Sequence, residues 1–210
     1  MQTDDSTLAE TPDEALLAAG FAKGDDFEEV LRTGLRDPEP RRRIVALRGA
    51  VRQGLATSED WLFALGDQER EVRREALNLA AYATIGLDRV APRIVELLAD
   101  GDPLVVDGAV FALGEHGYVE AVERLVEVAT GHEDARCRET AVAALGVLGD
   151  ERGRAAILGA LEDKAPVRRR AIVALANFEG PDIDEALARA SEDRDWQVRA
   201  AADQLGRGED

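Results

Sequence analysis

Apolar positions along the chain recur at the spacing of a helix face and not with the two-residue alternation of a strand. One clear stretch contains Ala141, Val142, Ala144 and Leu145, and the same order returns at 171–175. One-sided stripes of this kind are typical of amphipathic helices. A second amphipathic stretch precedes each stripe, as at 122–126. The pattern therefore predicts repeated helix–turn–helix units and no β-sheet.

Six segments of the chain align on one register. Their anchor residues are 30, 33, 32, 30 and 31 positions apart and lie at Arg42, Val72, Val105, Cys137, Val167 and Val198. A period of this length indicates a repeat architecture. The turns before the anchors combine Asp with Gly or Pro, and the predicted helix ends carry Gly86, Gly114, Gly146 and Gly149.

The charge balance changes the picture of possible partners. The chain has 43 acidic and 26 basic residues, a net charge of −17, and all but two of the basic residues are arginine. This field repels nucleic-acid phosphate and anionic lipid at ordinary ionic strength. The excess of acid and arginine resembles proteins of extreme halophiles, where salt screens the repulsion. The alternative is an acidic mesophilic protein from a GC-rich genome.

Several kinds of chemistry lack the residues that they need. One cysteine, Cys137, excludes an internal disulfide framework, and two histidines, His116 and His132, leave few ligands for a metal. We expect Cys137 to be buried and no cofactor to be required. No apolar run approaches the 18 or so residues of a membrane span, and the first residues do not resemble a secretory signal. We therefore expect a cytoplasmic protein.

The recurring pattern Asp-x-x-x-x-Val-Arg-x-x-Ala-x-x-Ala-Leu-Gly resembles the HEAT repeats, and in particular the short HEAT-like units of phycobilin lyases. The resemblance covers residues 25–206 and implies an all-α, right-handed α-solenoid of about six helix–turn–helix repeats. We expect residues 1–24 to form an acidic segment with a short capping helix that starts at Thr11-Pro12-Asp13-Glu14. Residues 1–10 are expected to be disordered and residues 207–210 to form a flexible tail. The alternative role for the acidic segment is attraction of a basic partner.

An arginine follows the anchor in five of the six units. These residues are Arg43, Arg73, Arg138, Arg168 and Arg199. A cation in the first turn of a helix opposes the helix dipole by about 0.3–1 kcal/mol, so we expect compensation. The acidic residue of each preceding turn, such as Asp67 or Asp163, is predicted to cap the helix and to pair with an arginine of its own or the adjacent unit. The alternative is a phosphate-binding site at 41–43 and 168–170.

The resemblance also implies that the second helix of each repeat lines the concave side and binds partners. Aromatic anchors inside a polar rim are typical of protein interfaces. The predicted partner-binding residues are Arg48, Arg52, Arg74, Asn78, Tyr82, Phe111, Glu115, Val147, Arg170, Val173 and Asn177. The alternative for Tyr82 and Phe111 is that both rings turn into the core.

Three functional classes follow from these residues. We predict a non-catalytic scaffold that binds another protein or a peptide. A resemblance to the HEAT-like hydroxylases would imply a metal site built from four His-Glu pairs, whereas this chain has the single pair His132-Glu133. No catalytic group like those of a lyase is visible in the sequence. An enzyme, or an accessory subunit of one, is therefore disfavoured. A HEAT-like protein that binds nucleic acid remains the other alternative. Glu75, Asp107 and Glu115 lie between the arginines of the predicted concave face, so they oppose a continuous track for phosphate groups.

Overall fold

The computed structural model describes residues 12–21, 25–84 and 86–206. All regular structure in these residues is helical, which confirms the predicted all-α class. Short 3-10 segments extend several helix ends. The helices are α1 Pro12–Ala19, α2 Asp25–Gly34, α3 Pro40–Gln53, α4 Ser58–Leu65, α5 Arg70–Ala80, α6 Leu87–Glu96, α7 Pro103–Glu115, α8 Val122–Gly131, α9 Ala135–Leu148, α10 Arg154–Gly159, α11 Ala165–Leu175, α12 Pro181–Ala190 and α13 Trp196–Gly206.

The twelve helices from α2 to α13 form six consecutive pairs, one for each predicted repeat. The chain divides into two compact units. The first unit holds α1 to α4 and α5 up to residue 79, together with residues 83–86. The second unit holds residues 80–82 and everything from α6 onward. Within the second unit α7, α9, α11 and α13, the second helices of their pairs, pack against one another in chain order.

The predicted register describes the core correctly. The anchors Val72, Val105, Cys137, Val167 and Val198 are buried, whereas the irregular anchor Arg42 is only half-buried. In the best repeats, positions four, five, seven and eight after the anchor are buried as well. Those in α9 and α11 are Ala141, Val142, Ala144, Leu145, Ala171, Ile172, Ala174 and Leu175. The one-sided apolar stripes therefore form the interior of the repeats.

Three predicted helix ends are wrong. Gly86 directly precedes α6, and the helix before it, α5, ends at Ala80. Gly114 and Gly146 lie inside α7 and α9, each of which continues past its glycine. A Cβ on Gly146 would lie 2.5 Å from the Cβ of Ala174 and 2.7 Å from its Cα. This glycine therefore permits the close approach of two neighbouring second helices. Gly149, by contrast, ends α9 with a left-handed φ of 61°, as predicted.

The short helix α1 makes contacts like those of the second helix of a pair, although the described residues contain no first helix before it. It packs against α2 and α3, where a Cβ on Gly49 would lie 3.1 Å from the Cα of Gly20. Arg52 donates to the carbonyl of Gly20 at 3.3 Å. In the second unit, Asn177 donates to the carbonyl of Gly146 at 2.8 Å. Asn177 and Arg52 occupy the same position in their repeats, ten residues after the anchor. The helix α1 therefore occupies the place of the second helix of a preceding repeat.

The predictions for residues 1–10, for the cap at Thr11 and for residues 207–210 lie outside the described residues. The side chain of Trp61 in α4 is 1% exposed and lies in the core. Trp196, the first residue of α13, is exposed. No helix in the described ranges is long and apolar enough to cross a membrane.

Candidate functional site

Three of the five arginines that follow an anchor pair with an aspartate of the next repeat, which confirms the predicted pairing for Arg43, Arg138 and Arg168. Each guanidinium donates two hydrogen bonds to one carboxylate. The pairs are Arg43–Asp67 at 2.7 and 2.8 Å, Arg138–Asp163 at 2.6 and 2.7 Å, and Arg168–Asp193 at 2.9 and 2.7 Å. We call these three pairs the ladder. Its side chains are mostly buried, which strengthens charge-assisted hydrogen bonds relative to those in water.

The ladder also fixes the turns that precede the second helices. Arg138 donates to the carbonyl of His132 at 2.7 Å, and Arg168 donates to that of Asp163 at 2.8 Å. Hydrogen bonds from the arginines lower the pKa of Asp163 and of Asp193 below the ordinary value. The ladder arginines therefore connect adjacent repeats and also order their own turns.

The predicted capping role belongs to other aspartates. Asp67 and Asp193 accept a hydrogen bond from the backbone N–H two residues later, and this closes the turn before the helix begins. Among the second helices, the aspartates that cap the helix with a side-chain hydrogen bond include Asp102 on α7, Asp134 on α9 and Asp195 on α13. Pairing and capping are therefore divided between neighbouring acidic residues of one turn.

Five of the six arginines of the alternative phosphate-binding site are engaged within the chain, whereas Arg41 is exposed and makes no hydrogen bond or ion pair in the described residues. Arg42 contacts Asp13 at 2.7 Å, and Arg169 donates to the side chain of Gln197 at 2.9 Å. Arg170 lies 3.7 Å from a carboxylate oxygen of Glu139. These contacts join neighbouring helices, so these three guanidinium groups have structural partners.

The first unit presents four of the predicted partner-binding residues. Arg48 pairs with Glu75 at 2.6 Å, and the guanidinium of Arg52 lies 4.1 Å from the ring centre of Phe21. Arg74 is half-buried, and Asn78 is exposed. Arg52 holds the segment after α1 against α3, so its prediction as a contact for an outside partner missed this structural role.

The second unit presents an exposed row of apolar side chains, which we call the apolar stripe. Its members are Tyr82, Phe111, Val147 and Val173, with exposures of 77%, 38%, 68% and 54%. The alternative that Tyr82 and Phe111 turn into the core is wrong. The two rings meet edge to face, with centres 5.9 Å apart and planes at 62°. This geometry is favourable for an aromatic pair.

Two predicted residues of this face lie beyond the helices that were expected to carry them. Tyr82 lies in the turn after α5, which ends at Ala80. Asn177 lies after α11, and its side-chain amide donates to the carbonyl of Gly146. Asn177 therefore joins two repeats through this bond.

A shallow cleft of about 310 Å³ lies beside the stripe, between α7, α9 and α11. Phe111 and Val147 form its apolar sides, and the small residues Gly114, Ala143 and Ala144 line it. Its charged lining residues are Glu115, Glu139 and Arg170. Sequence reasoning treated Gly114 as a helix end and did not predict that it lines this cleft. The sequence feature that could have indicated this role is the apolar register, which continues past the glycine. The cleft therefore combines apolar and small residues with a charged rim.

Reactive groups in the described residues are few. Cys137 is buried as predicted, its thiol donates to the carbonyl of Pro103 at 3.1 Å, and desolvation raises its pKa to about 11. The thiol therefore stays protonated at neutral pH. No group of three or more His, Cys, Asp or Glu in the described ranges is placed to hold a metal ion.

Paired helices that repeat with a common core register define the class of α-solenoid repeat proteins. Family models of HEAT repeats match residues 58–146 and 90–176, and a model of the PBS lyase HEAT-like repeat matches residues 167–193. The HEAT repeat matches together cover more than half of the chain. The chain therefore belongs to the HEAT repeat family.

Solved structures with the same fold share little sequence with this chain. A designed armadillo repeat protein in complex with the peptide (KR)4 is 17% identical, with a TM-score of 0.61 over 95% of this chain and 99% of that one. YibA from E. coli is 17% identical, with a TM-score of 0.65 over 96% of this chain and 75% of its own. Computationally designed armadillo repeat proteins for modular peptide recognition give 17% identity and a TM-score of 0.55 over 93% and 98% of the two chains. No curated protein matches the chain.

Proposed function

We propose that this protein is a non-catalytic scaffold that binds a partner protein, or a segment of one, through the face of its second unit formed by α7, α9 and α11. The observation that carries the proposal is the apolar stripe. Four large apolar side chains are exposed there on adjacent elements, beside a cleft with a polar rim. Exposed apolar surface that is rimmed by polar groups marks sites of protein interaction.

The stripe suits binding because its scaffold is already ordered. The ladder and the close packing of α9 and α11 at Gly146 fix the helices that present the stripe. A partner that binds a fixed surface loses little free energy to ordering of that surface. Affinity then comes from a few aromatic contacts, with Tyr82 and Phe111 as the anchors.

Two further features support a protein or peptide partner. Designed armadillo repeat proteins of similar fold are described as a peptide complex and as scaffolds for modular peptide recognition. The net charge of −17 opposes the phosphate backbone of nucleic acid, and Arg169 and Arg170 already have partners in the chain. The proposal rests on the candidates of the second unit, and Arg48, Arg74 and Asn78 of the first unit form a separate prediction.

The test is affinity capture from native lysate with wild type and the double variant Tyr82→Ala/Phe111→Ala, followed by mass spectrometry. The matched control is Phe63→Ala, since Phe63 in the first unit is 42% exposed and Phe111 is 38% exposed. We expect a protein that is recovered with wild type and with the control and is lost with the double variant. Each ring of the stripe should contribute about 1–3 kcal/mol to binding.

Folding of each variant is checked by thermal unfolding before capture. Recovery of nucleic acid or a small molecule in place of a protein would contradict the proposal. Equal recovery of every protein by wild type and the folded double variant would contradict it as well.

A further inference from the structure

The helix α7 places acidic groups on both sides of the aromatic ring of the stripe. Asp107, Phe111 and Glu115 are spaced by four residues and therefore share one face of the helix. A side-chain oxygen of Asp107 accepts a hydrogen bond from the hydroxyl of Thr140 at 2.6 Å. Glu115 is exposed and makes no hydrogen bond or ion pair within the described ranges. One carboxylate beside Phe111 is therefore available to an outside partner.

The aromatic pair adds a second feature that favours a cation. Tyr82 is the more exposed ring, and its edge-to-face contact with Phe111 leaves aromatic surface open to solvent. Aromatic faces attract guanidinium and ammonium groups by about 0.5–1 kcal/mol at exposed sites. Glu115 follows Phe111 by one helical turn, so carboxylate and ring lie side by side.

The cleft provides for an apolar group next to that cation. Gly114, Ala143 and Ala144 leave room between Phe111 and Val147. Arg170, the cationic residue of the lining, lies 3.7 Å from Glu139. The formal charge of the lining is therefore −1, since Glu115 and Glu139 are opposed by Arg170 alone, and Glu115 makes no ion pair in the described residues.

We propose that the stripe binds a segment of a partner protein in which an arginine or lysine is adjacent to a large apolar residue. The cation lies against Glu115 and the rings of Tyr82 and Phe111, and the apolar side chain enters the cleft. This inference rests on the proposed function and specifies the chemistry of its partner. The net charge of −17 speeds the approach of such a segment at low ionic strength.

The first arm of the test is selection from a displayed library of random dodecapeptides. Wild type is the target, and Tyr82→Ala/Phe111→Ala is used to remove peptides that bind elsewhere. We expect enriched peptides to carry Arg or Lys within two positions of Leu, Ile, Met or an aromatic residue. Enrichment of apolar peptides with no basic residue, or with acidic residues, would overturn the cationic inference but leave the proposed function standing. Failure to enrich any peptide would overturn this inference, whereas the proposed function is overturned only by the capture experiment described above.

The second arm measures the affinity of the most enriched peptide for Glu115→Gln and Glu120→Gln. Both variants remove one negative charge, and Glu120 is an exposed residue in the short segment Val119–Ala121, outside the stripe and the cleft. We expect binding to weaken about fivefold in Glu115→Gln and less than twofold in Glu120→Gln, because a surface ion pair acts locally. Equal weakening in both variants would assign the effect to net charge and overturn the inference.

A change in the peptide completes the second arm. Replacement of the basic residue by Gln should remove the difference between wild type and Glu115→Gln, since the two groups then no longer interact. If the difference persists, Glu115 acts through the fold and not through the cation, and the proposed contact is wrong.

Discussion

The ladder and the apolar stripe share the second helices α9 and α11 but show opposite chemistry. In the ladder each arginine has a carboxylate of the next repeat at hydrogen-bond distance, and both side chains are mostly buried. In the stripe, large apolar side chains of Tyr82, Val147 and Val173 remain more than half exposed. The difference shows that one end of these helices joins adjacent repeats, whereas another face leaves apolar side chains exposed. Changes in one region should therefore leave the other largely intact.

The largest expected effect comes from a change that disturbs both regions. Gly146→Val places a branched side chain where even a Cβ would lie 2.5 Å from Ala174, so α9 and α11 must move apart. We expect a loss of about 3 kcal/mol in the free energy of unfolding, measured by urea denaturation. Gly159→Ala is the control, because a Cβ there has nothing within 4 Å and should be neutral or stabilising. An unchanged unfolding midpoint for Gly146→Val would contradict the assigned close packing.

A smaller loss is expected when the ladder alone is broken. Asp193→Ala leaves Arg168, which is 5% exposed, without its carboxylate. We expect the free energy of unfolding to fall by about 2 kcal/mol, between the values for surface and fully buried pairs. Glu127→Ala removes the exposed partner of Arg124 and should leave the urea midpoint unchanged. Similar losses in the two variants would show that burial does not set the strength of the ladder.

The ladder also predicts a dependence on acid. Arg168 holds the pKa of Asp193 below its ordinary value in the folded protein, so the stabilisation is present above about pH 4. It is lost as the pH falls through the lower value of the folded state. The difference in unfolding free energy between wild type and Asp193→Asn should therefore shrink below pH 4, in urea titrations from pH 6 to pH 2.5. A difference that stays constant over this range would contradict the lowered pKa.

The smallest expected effect on stability belongs to the stripe. Phe111→Ala should lower the free energy of unfolding by less than about 1 kcal/mol, because the ring is 38% exposed. Leu113→Ala, two residues along α7, removes a side chain that is 1% exposed and should lose about 3 kcal/mol. Urea denaturation of both variants separates surface from core on one helix. Equal losses would mean that Phe111 is a core residue and that the stripe is not open.

Local pattern was sufficient for most of the fold. The apolar anchors such as Val105 and Val167, and the helix pairs around them, follow from the repeat register because burial on one face sets the helical period. The register did not distinguish a glycine that ends a helix from one that permits close packing. Gly146 lies inside α9 and packs closely against Ala174, whereas Gly149 ends the same helix with a left-handed backbone conformation.

The candidate site was predicted in outline, and its errors come from contacts distant in sequence. The resemblance to HEAT repeats placed Val147 and Val173 on the predicted partner-binding face, and both are exposed. It could not show that Arg52 stacks on Phe21, because that contact depends on the packing of α1. The bond from Asn177 to the carbonyl of Gly146 likewise depends on a neighbouring repeat.

The central claim is that the stripe is an open binding surface on a rigid scaffold. The most direct measurement is a titration of methyl-labelled protein with the most enriched dodecapeptide, followed by nuclear magnetic resonance. The account predicts shifts at the methyl groups of Val147 and Val173 and none at Val119, which is 41% exposed outside the stripe. Shifts at Val119 with unchanged Val147 and Val173, or no shift in the three residues, would contradict it.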